Sequence, residues 1–201
     1  MYEGVDEDKR ATLRRFAALG AATPLVRLVD APRAGEAGVR EAVLGYVEAV
    51  PGAHFSKLRD DLQLGTGETQ HHVRRLLEAG ALESRRDGDY RRFYPAGRFS
   101  TAEQVALGYL RRDTPRGMVL ELLQHPDATG AELASSLGVS RSTISKYAAE
   151  LAEAGLLDRE GGYSLTAAET MVVLLLRYAD SFDAQTAAFA GRAAEMIELR
   201  G

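Results

Sequence analysis

The stretch FSKLRDDLQLGTGETQHHVRRLLEAGAL, residues 55–82, returns seventy-five positions later as GAELASSLGVSRSTISKYAAELAEAGLL, residues 130–157, without a gap. Apolar positions coincide along both copies: Leu58 with Leu133, Leu62 with Leu137, Leu64 with Val139, Val73 with Ala148, Leu76 with Leu151, Leu82 with Leu157. Gly80 falls on Gly155, and upstream Val43, Leu44, Val47 and Pro51 fall on Met118, Val119, Leu122 and Pro126. A repeat of this kind decides the architecture before any single element does. Each copy reads as a short helix, a tight turn, a longer helix and a hairpin. The expected fold is mainly α with small β wings (α+β): two tandem winged helix-turn-helix domains plus N- and C-terminal helices.

The second copy shows the local logic. Thr129 and Glu132 form a T-x-x-E capping box that opens a short helix. Leu133 and Leu137 share one side of it at i, i+4. Gly138 ends it, and Ser140 is placed to cap the next helix. Ile144, Ala148 and Leu151 line the inner face of that helix, leaving Arg141, Ser142, Ser145, Lys146 and Ala149 outside. The first copy presents Gly67, Gln70, His71, Arg74 and Arg75 on the equivalent face. A helix held by its back with a short polar face outward suits a DNA major groove.

The hairpins differ. After Leu82 comes ESRRDGDYRRFYPAG, where Asp87-Gly88 signals a turn between Arg85-Arg86 and Arg91-Arg92. Tyr90, Phe93 and Tyr94 are expected to pack the sheet, and the four arginines suit phosphates or a narrow minor groove. The bland alternative is a solvated hairpin neutralised by Glu83, Asp87 and Asp89. The second wing, DREGGYSLT, turns at Gly161-Gly162 and carries Arg159 between Asp158 and Glu160.

QHHVRRLLEAGAL followed by RRDGDYRRFYPAG resembles the recognition helix and wing of ArsR-type regulators, and LASSLGVSRSTISKYAAELAEAGLL resembles the helix-turn-helix of the MarR and ArsR groups. The tandem arrangement is most similar to two-winged-helix transcriptional regulators of archaea, especially halophilic ones. The resemblance spans about Arg40 to Thr166. It implies a cytoplasmic DNA-binding repressor or activator, usually dimeric. One departure stands out: metal-sensing ArsR proteins rely on cysteine or clustered histidine ligands, and this chain has no cysteine.

With 201 residues and 45% hydrophobic content, the chain is long enough for two small cores. The absence of cysteine excludes a disulfide scaffold and a thiolate metal site. The net charge of −4 argues against a basic DNA-coating protein, so the distribution matters more than the total. Residues 39–97 carry nine basic and nine acidic side chains, whereas residues 115–165 carry four against seven. The first unit therefore has the better electrostatic case for phosphate contact.

The expected boundaries are an N-terminal arm or helix over 1–38, the first winged-helix domain over 39–97, a linker helix over 98–114, the second domain over 115–165, and C-terminal dimerisation helices over 166–201. Ser100 with Glu103 forms another capping box for the linker, and Pro115 suits the first position of the helix after it. Thr166 with Glu169 reads as a further box, opening a helix with six consecutive apolar residues from Met171 to Leu176. Apolar residues all round a helix require cover on both sides, so Met171, Leu174, Leu175, Tyr178, Phe182 and Phe189 are expected to build a homodimer contact. The run is too short for a membrane span. Near the N-terminus, Arg14-Arg15-Phe16 before a short apolar stretch superficially looks like a twin-arginine signal, but the stretch closes at Arg27. An extra helix there is the favoured reading.

Catalysis finds little support: no phosphate loop, no Ser/His/Asp constellation, no H-E-x-x-H. His71 and His72 are adjacent, so on a helix they diverge by about 100° and do not share a metal easily. No cofactor and no metal is expected. The leading function is a sequence-specific regulator whose partner is double-stranded DNA, bound as a homodimer in the cytoplasm. The alternative is a tandem winged-helix protein-interaction module with little DNA affinity, as in the condensin accessory subunit built from two winged helices. A third reading adds a small-molecule effector pocket lined by Tyr147, Tyr163, Tyr178 and Phe182, although aromatics at these spacings are more often plain core.

Overall fold

In the computed structural model, residues 34–198 are described, with side chains described over 37–193. The arginine pair and apolar stretch near the N-terminus, and most of the expected N-terminal arm, lie outside these residues. The chain divides into two units between Gln104 and Val105.

The first unit runs α1 (Ala34–Ala49), α2 (Phe55–Asp61), α3 (Thr66–Glu78), β1 (Leu82–Asp87) and β2 (Tyr90–Pro95), up to the start of α4 (Thr101–Leu110). Its core gathers Val43, Tyr46 and Val47 from α1, Leu58 and Leu62 around α2, Val73 and Leu76 from α3, and Leu82 and Phe93 from the hairpin. Each removes a large apolar side chain from water, worth about 2 kcal/mol before the entropy of ordering. The hairpin is antiparallel with Asp87 opposite Tyr90, so its loop is Gly88-Asp89. The turn thus sits one residue later than the Asp-Gly pair suggested. Gly88 takes φ +59°, as the first loop position of a tight hairpin demands. A short extended segment adds to the sheet: Gly52 N donates to Phe93 O at 2.8 Å, and Phe93 N to Ala53 O at 3.0 Å.

The second unit contains α5 (Asp113–Gln124), α6 (Gly130–Ser136), α7 (Arg141–Glu153), β3 (Leu157–Asp158), β4 (Ser164–Leu165), α8 (Ala168–Arg177), a 3₁₀ turn at Ala179–Ser181 and α9 (Ala184–Glu198). The repeat is realised residue for residue: α6 and α7 begin and end seventy-five positions after α2 and α3. Gly138 closes α6 at φ +63°, and the equivalent Gln63 adopts φ 55° despite its side chain. Thr129 caps α6 in a full box with Glu132, whose carboxyl is held below its usual pKa by the Thr129 amide and hydroxyl. Ser140 caps α7. The backbone NH and hydroxyl of Ser100 both donate to Glu103.

Three expectations at helix ends and beyond need correction. Pro115 is the third residue of α5 rather than the first, still within the turn whose N–H groups have no helical partner. Thr166 does not cap α8; its hydroxyl donates to Gly155 O at 2.7 Å, and α8 starts after Ala167. Most importantly, Met171, Leu174, Leu175 and Tyr178, expected at a dimer contact, are buried within the single chain. The helix turns that stripe inward and leaves Val173 58% exposed. Phe182 lies under two guanidiniums, 4.2 Å from Arg111 and 5.8 Å from Arg116. Phe189 is half-buried.

Arg116 fastens the start of α9. Its buried guanidinium donates to Leu110 O at 3.0 Å, to Asp113 at 2.8 Å and to Asp183 at 2.6 Å. Asp183 in turn accepts from Thr186 N and its hydroxyl. These bonds outweigh the upward push of burial and hold the carboxyl below its usual pKa. Arg116→Ala is expected to destabilise the second unit by about 2 kcal/mol, since buried carbonyl and carboxylate lose their donor while part of Asp183 regains water. Urea denaturation measures it, and an unchanged midpoint would refute the clasp.

Candidate nucleic-acid interface

In the first unit α3 buries Thr69, His72, Val73 and Leu76 and turns Gly67, Gln70, Arg74 and the half-buried His71 outward. The outward set recurs at i, i+3, i+4 and i+7, so it forms one stripe along the helix. Arg75 is exposed but lies one position around the helix from Arg74. Arg74 is held loosely, with Glu78 at 3.7 Å and both side chains more than half exposed.

The wing arginines do not act as one cluster. Cross-strand pairing sets Arg85 opposite Arg92 and Arg86 opposite Arg91, and alternation along strands puts these pairs on opposite faces. Arg86 and Arg91 share a face with Phe93 and Ser84; the Arg91 Nε donates to Ser84 Oγ at 2.9 Å. Arg91 borders, with Gln70, His71 and Arg74, an open groove between α3 and the wing. Arg85 is half-buried on the other face.

Arg92, expected on the DNA backbone, is a correction. It is 2% exposed: Nε donates to Asp87, one terminal nitrogen to Gly52 O at 2.9 Å, and the guanidinium lies 5.5 Å from the Tyr90 ring. Its charge is spent tying the wing to the turn before α2. Tyr90, expected to pack the sheet, is instead 49% exposed, its ring 4.7 Å from that of His54. Strand alternation alone does not reveal this, because a two-stranded hairpin has little core to bury both faces.

His54 caps α2, its Nδ1 accepting from Lys57 N at 3.2 Å. Burial, then the charges of Arg92 and Lys57, hold its pKa below the usual 6.5. The sign follows: the fold favours neutral imidazole, so its contribution is present above about pH 6.5 and is lost as pH falls below it. An NMR titration is expected to place the His54 pKa below 6.5, moving back toward that value in Arg92→Ala. An unperturbed titration would contradict the arrangement.

The second unit offers a plainer face. Arg141, Ser142, Ser145, Lys146 and Ala149 are exposed on α7, as expected. Ser142 Oγ lies 2.7 Å from Ser140 Oγ, and Lys146 lies 3.9 Å from Glu150. The second wing has two residues per strand and a loop containing Gly161 and Gly162 at positive φ. Of the four aromatics suggested for an effector pocket, Tyr163 packs beside Gly130 and Phe182 sits beneath the two arginines. Among the described residues no group of His, Asp and Glu could hold a metal ion, and no helix is long and apolar enough to cross a membrane.

Residues 37–107 match a family model described as an N-terminal HTH domain, and residues 115–162 match one described as the MarR family. No curated protein and no solved structure matches the chain. Two helix-turn-helix matches, one on each winged unit, make this chain a DNA-binding transcriptional regulator of the winged helix-turn-helix type.

Proposed function

We propose that the regulator reads duplex DNA mainly through its first unit, as a homodimer. The observation that carries this reading is the continuity of the α3 stripe with Arg91 along one open groove. In this reading α3 enters the major groove. Gln70 suits bidentate pairing with adenine, Arg74 suits guanine or a phosphate, and Arg86 and Arg91 lie on the adjoining backbone. The test is binding of labelled duplex from the upstream region of its own gene, beside random duplex, over a salt series. Preference for the upstream duplex, weakening with salt, supports the reading. Equal or absent binding at low salt removes it.

The homodimer is supported by α8, where Val173 faces out beside half-buried Val172 and Leu176. Val173→Glu changes an exposed position, so the monomer keeps its fold while a contact there loses its centre. Sedimentation equilibrium is expected to show a dimer for the wild type and a dissociation constant raised about tenfold or more for the variant. A monomeric wild type would refute this part alone.

A further inference from the structure

The core of the first unit holds the base of its wing and stops short of the tip. Leu82 and Phe93 belong to that core, and Phe93 also bonds through its backbone to Gly52 and Ala53. Toward the tip, over residues 85–92, Arg92 alone is buried. Its guanidinium bonds in two directions at once. One bond goes to Asp87, the last residue of β1, and another to Gly52 O at 2.9 Å, in the turn just before the His54 cap of α2. The Tyr90 ring closes the same face, 5.5 Å from that guanidinium and 4.7 Å from the His54 ring. A planar fork with fixed donors thus joins the tip of the wing to the entrance of the helix-turn-helix.

The repeat shows that the tie goes with this wing and not with the winged-helix topology. Leu82 pairs with Pro95, and Leu157, seventy-five positions after Leu82, pairs with Leu165. Counting inward from these matched pairs, Gly162 stands where Arg92 stands, and Glu160 where Arg85 stands. The second copy has no guanidinium at that position, yet it forms α6, α7 and a hairpin. Its wing is the shorter one, and between Leu157 and Leu165 its sole arginine is Arg159. The buried fork accompanies the long wing that carries Arg86 and Arg91.

We infer that Arg92 is a positioning residue for DNA binding. Without touching duplex, it holds the outer half of the wing at the twist that sets Arg86 and Arg91 beside the outward stripe of α3. Arg91 is its neighbour on β2 and points to the opposite face, so a rotation of the strand that Arg92 prevents would carry Arg91 away. Arg86 follows, because it pairs with Arg91 across the hairpin. The inference rests on the DNA-binding reading proposed above.

Anisotropy titrations over a salt series compare the wild type with Arg92→Lys, Arg92→Ala, Arg91→Ala and the two double variants. Lysine keeps the net charge and reaches one acceptor of the two, so a loss there does not come from charge. Arg92→Lys is expected to weaken duplex binding about threefold and lower the salt slope by about one; Arg92→Ala is expected to weaken it about tenfold and lower the slope by about two. Arg91→Ala is expected to cost about fivefold alone but under about twofold in the Arg92→Ala background, because a contact already displaced is not lost twice. Lost stability by itself would shrink the folded fraction, and with it the titration amplitude, while the slope and the Arg91 effect stayed intact. If Arg92→Ala does not fold, Arg92→Lys carries the same comparison. Additive losses, an unchanged slope, or wild-type affinity in Arg92→Lys overturns the proposal. Amide exchange at Arg91 and Arg92, expected to be about tenfold faster in Arg92→Lys, reads the tie without DNA. A wild type that binds no duplex therefore sinks the DNA reading, whereas unchanged exchange sinks the tie.

Discussion

Arg92→Ala is expected to lower the stability of the first unit by about 3 kcal/mol, while Arg91→Ala, one residue away, changes it by less than about 0.5 kcal/mol. The asymmetry follows from position. Arg92 is 2% exposed and satisfies Asp87 and the Gly52 carbonyl, so truncation strands a carboxylate and a carbonyl in a site with little water. It also removes the side-chain tie from β2 to the turn before His54, leaving only the backbone bonds between Phe93 and Gly52 and Ala53. Arg91 is exposed and makes a single bond to the Ser84 hydroxyl. Arg92→Lys keeps the charge but loses the fork, and is expected to fall between the two. Urea denaturation of the three variants measures this. An Arg92→Ala loss below about 1 kcal/mol would mean that the buried contacts contribute little net stability.

The fold was legible because the repeat carried it. Gly138 marked the end of α6, whereas Gln63 at the same position of the first copy gives no such mark, since a non-glycine residue rarely takes φ 55°. The capping boxes at Thr129 and Ser100 were readable because both partners lie three residues apart on the local chain. Thr166 shows the limit of that signal. Its hydroxyl bonds to Gly155, eleven residues back across the hairpin, and no local pattern reveals a competing acceptor.

The outward stripe of α3 was legible from helical periodicity alone, which places Gln70, His71 and Arg74 on one face. The wing was not. Four arginines in a six-residue-per-strand hairpin look alike in sequence, and only pairing register decides which faces the helix. Burial of Arg92 depends on Gly52, forty residues away. The C-terminal apolar run misled for a related reason. An all-round apolar helix shows that cover is needed, but not how much the same chain supplies, and here it covers Met171, Leu174, Leu175 and Tyr178 itself.

The remaining question is which unit carries the electrostatic attraction, and the expected result is unequal. Arg74→Ala/Arg86→Ala/Arg91→Ala should reduce duplex affinity about a hundredfold at low salt and flatten the salt dependence by about three in slope, since each phosphate contact contributes roughly 0.9. The three side chains are exposed: Arg74 has Glu78 at 3.7 Å, while Arg86 and Arg91 donate only to neutral oxygens, Gly88 O at 3.3 Å and Ser84 Oγ at 2.9 Å. Their charge is therefore available to phosphate rather than spent inside the protein, in contrast to Arg92. Arg141→Ala/Lys146→Ala in the second unit should cost less than about threefold and barely move the slope. There Lys146 has Glu150 at 3.9 Å, no arginine hairpin stands beside α7, and residues 115–165 carry four basic against seven acidic side chains. Both variants change exposed positions, so unfolding does not confound the comparison. Anisotropy titrations over a salt series measure both quantities together. Equal losses in affinity and slope for the two variants would place both units on the phosphate backbone and overturn the assignment to the first.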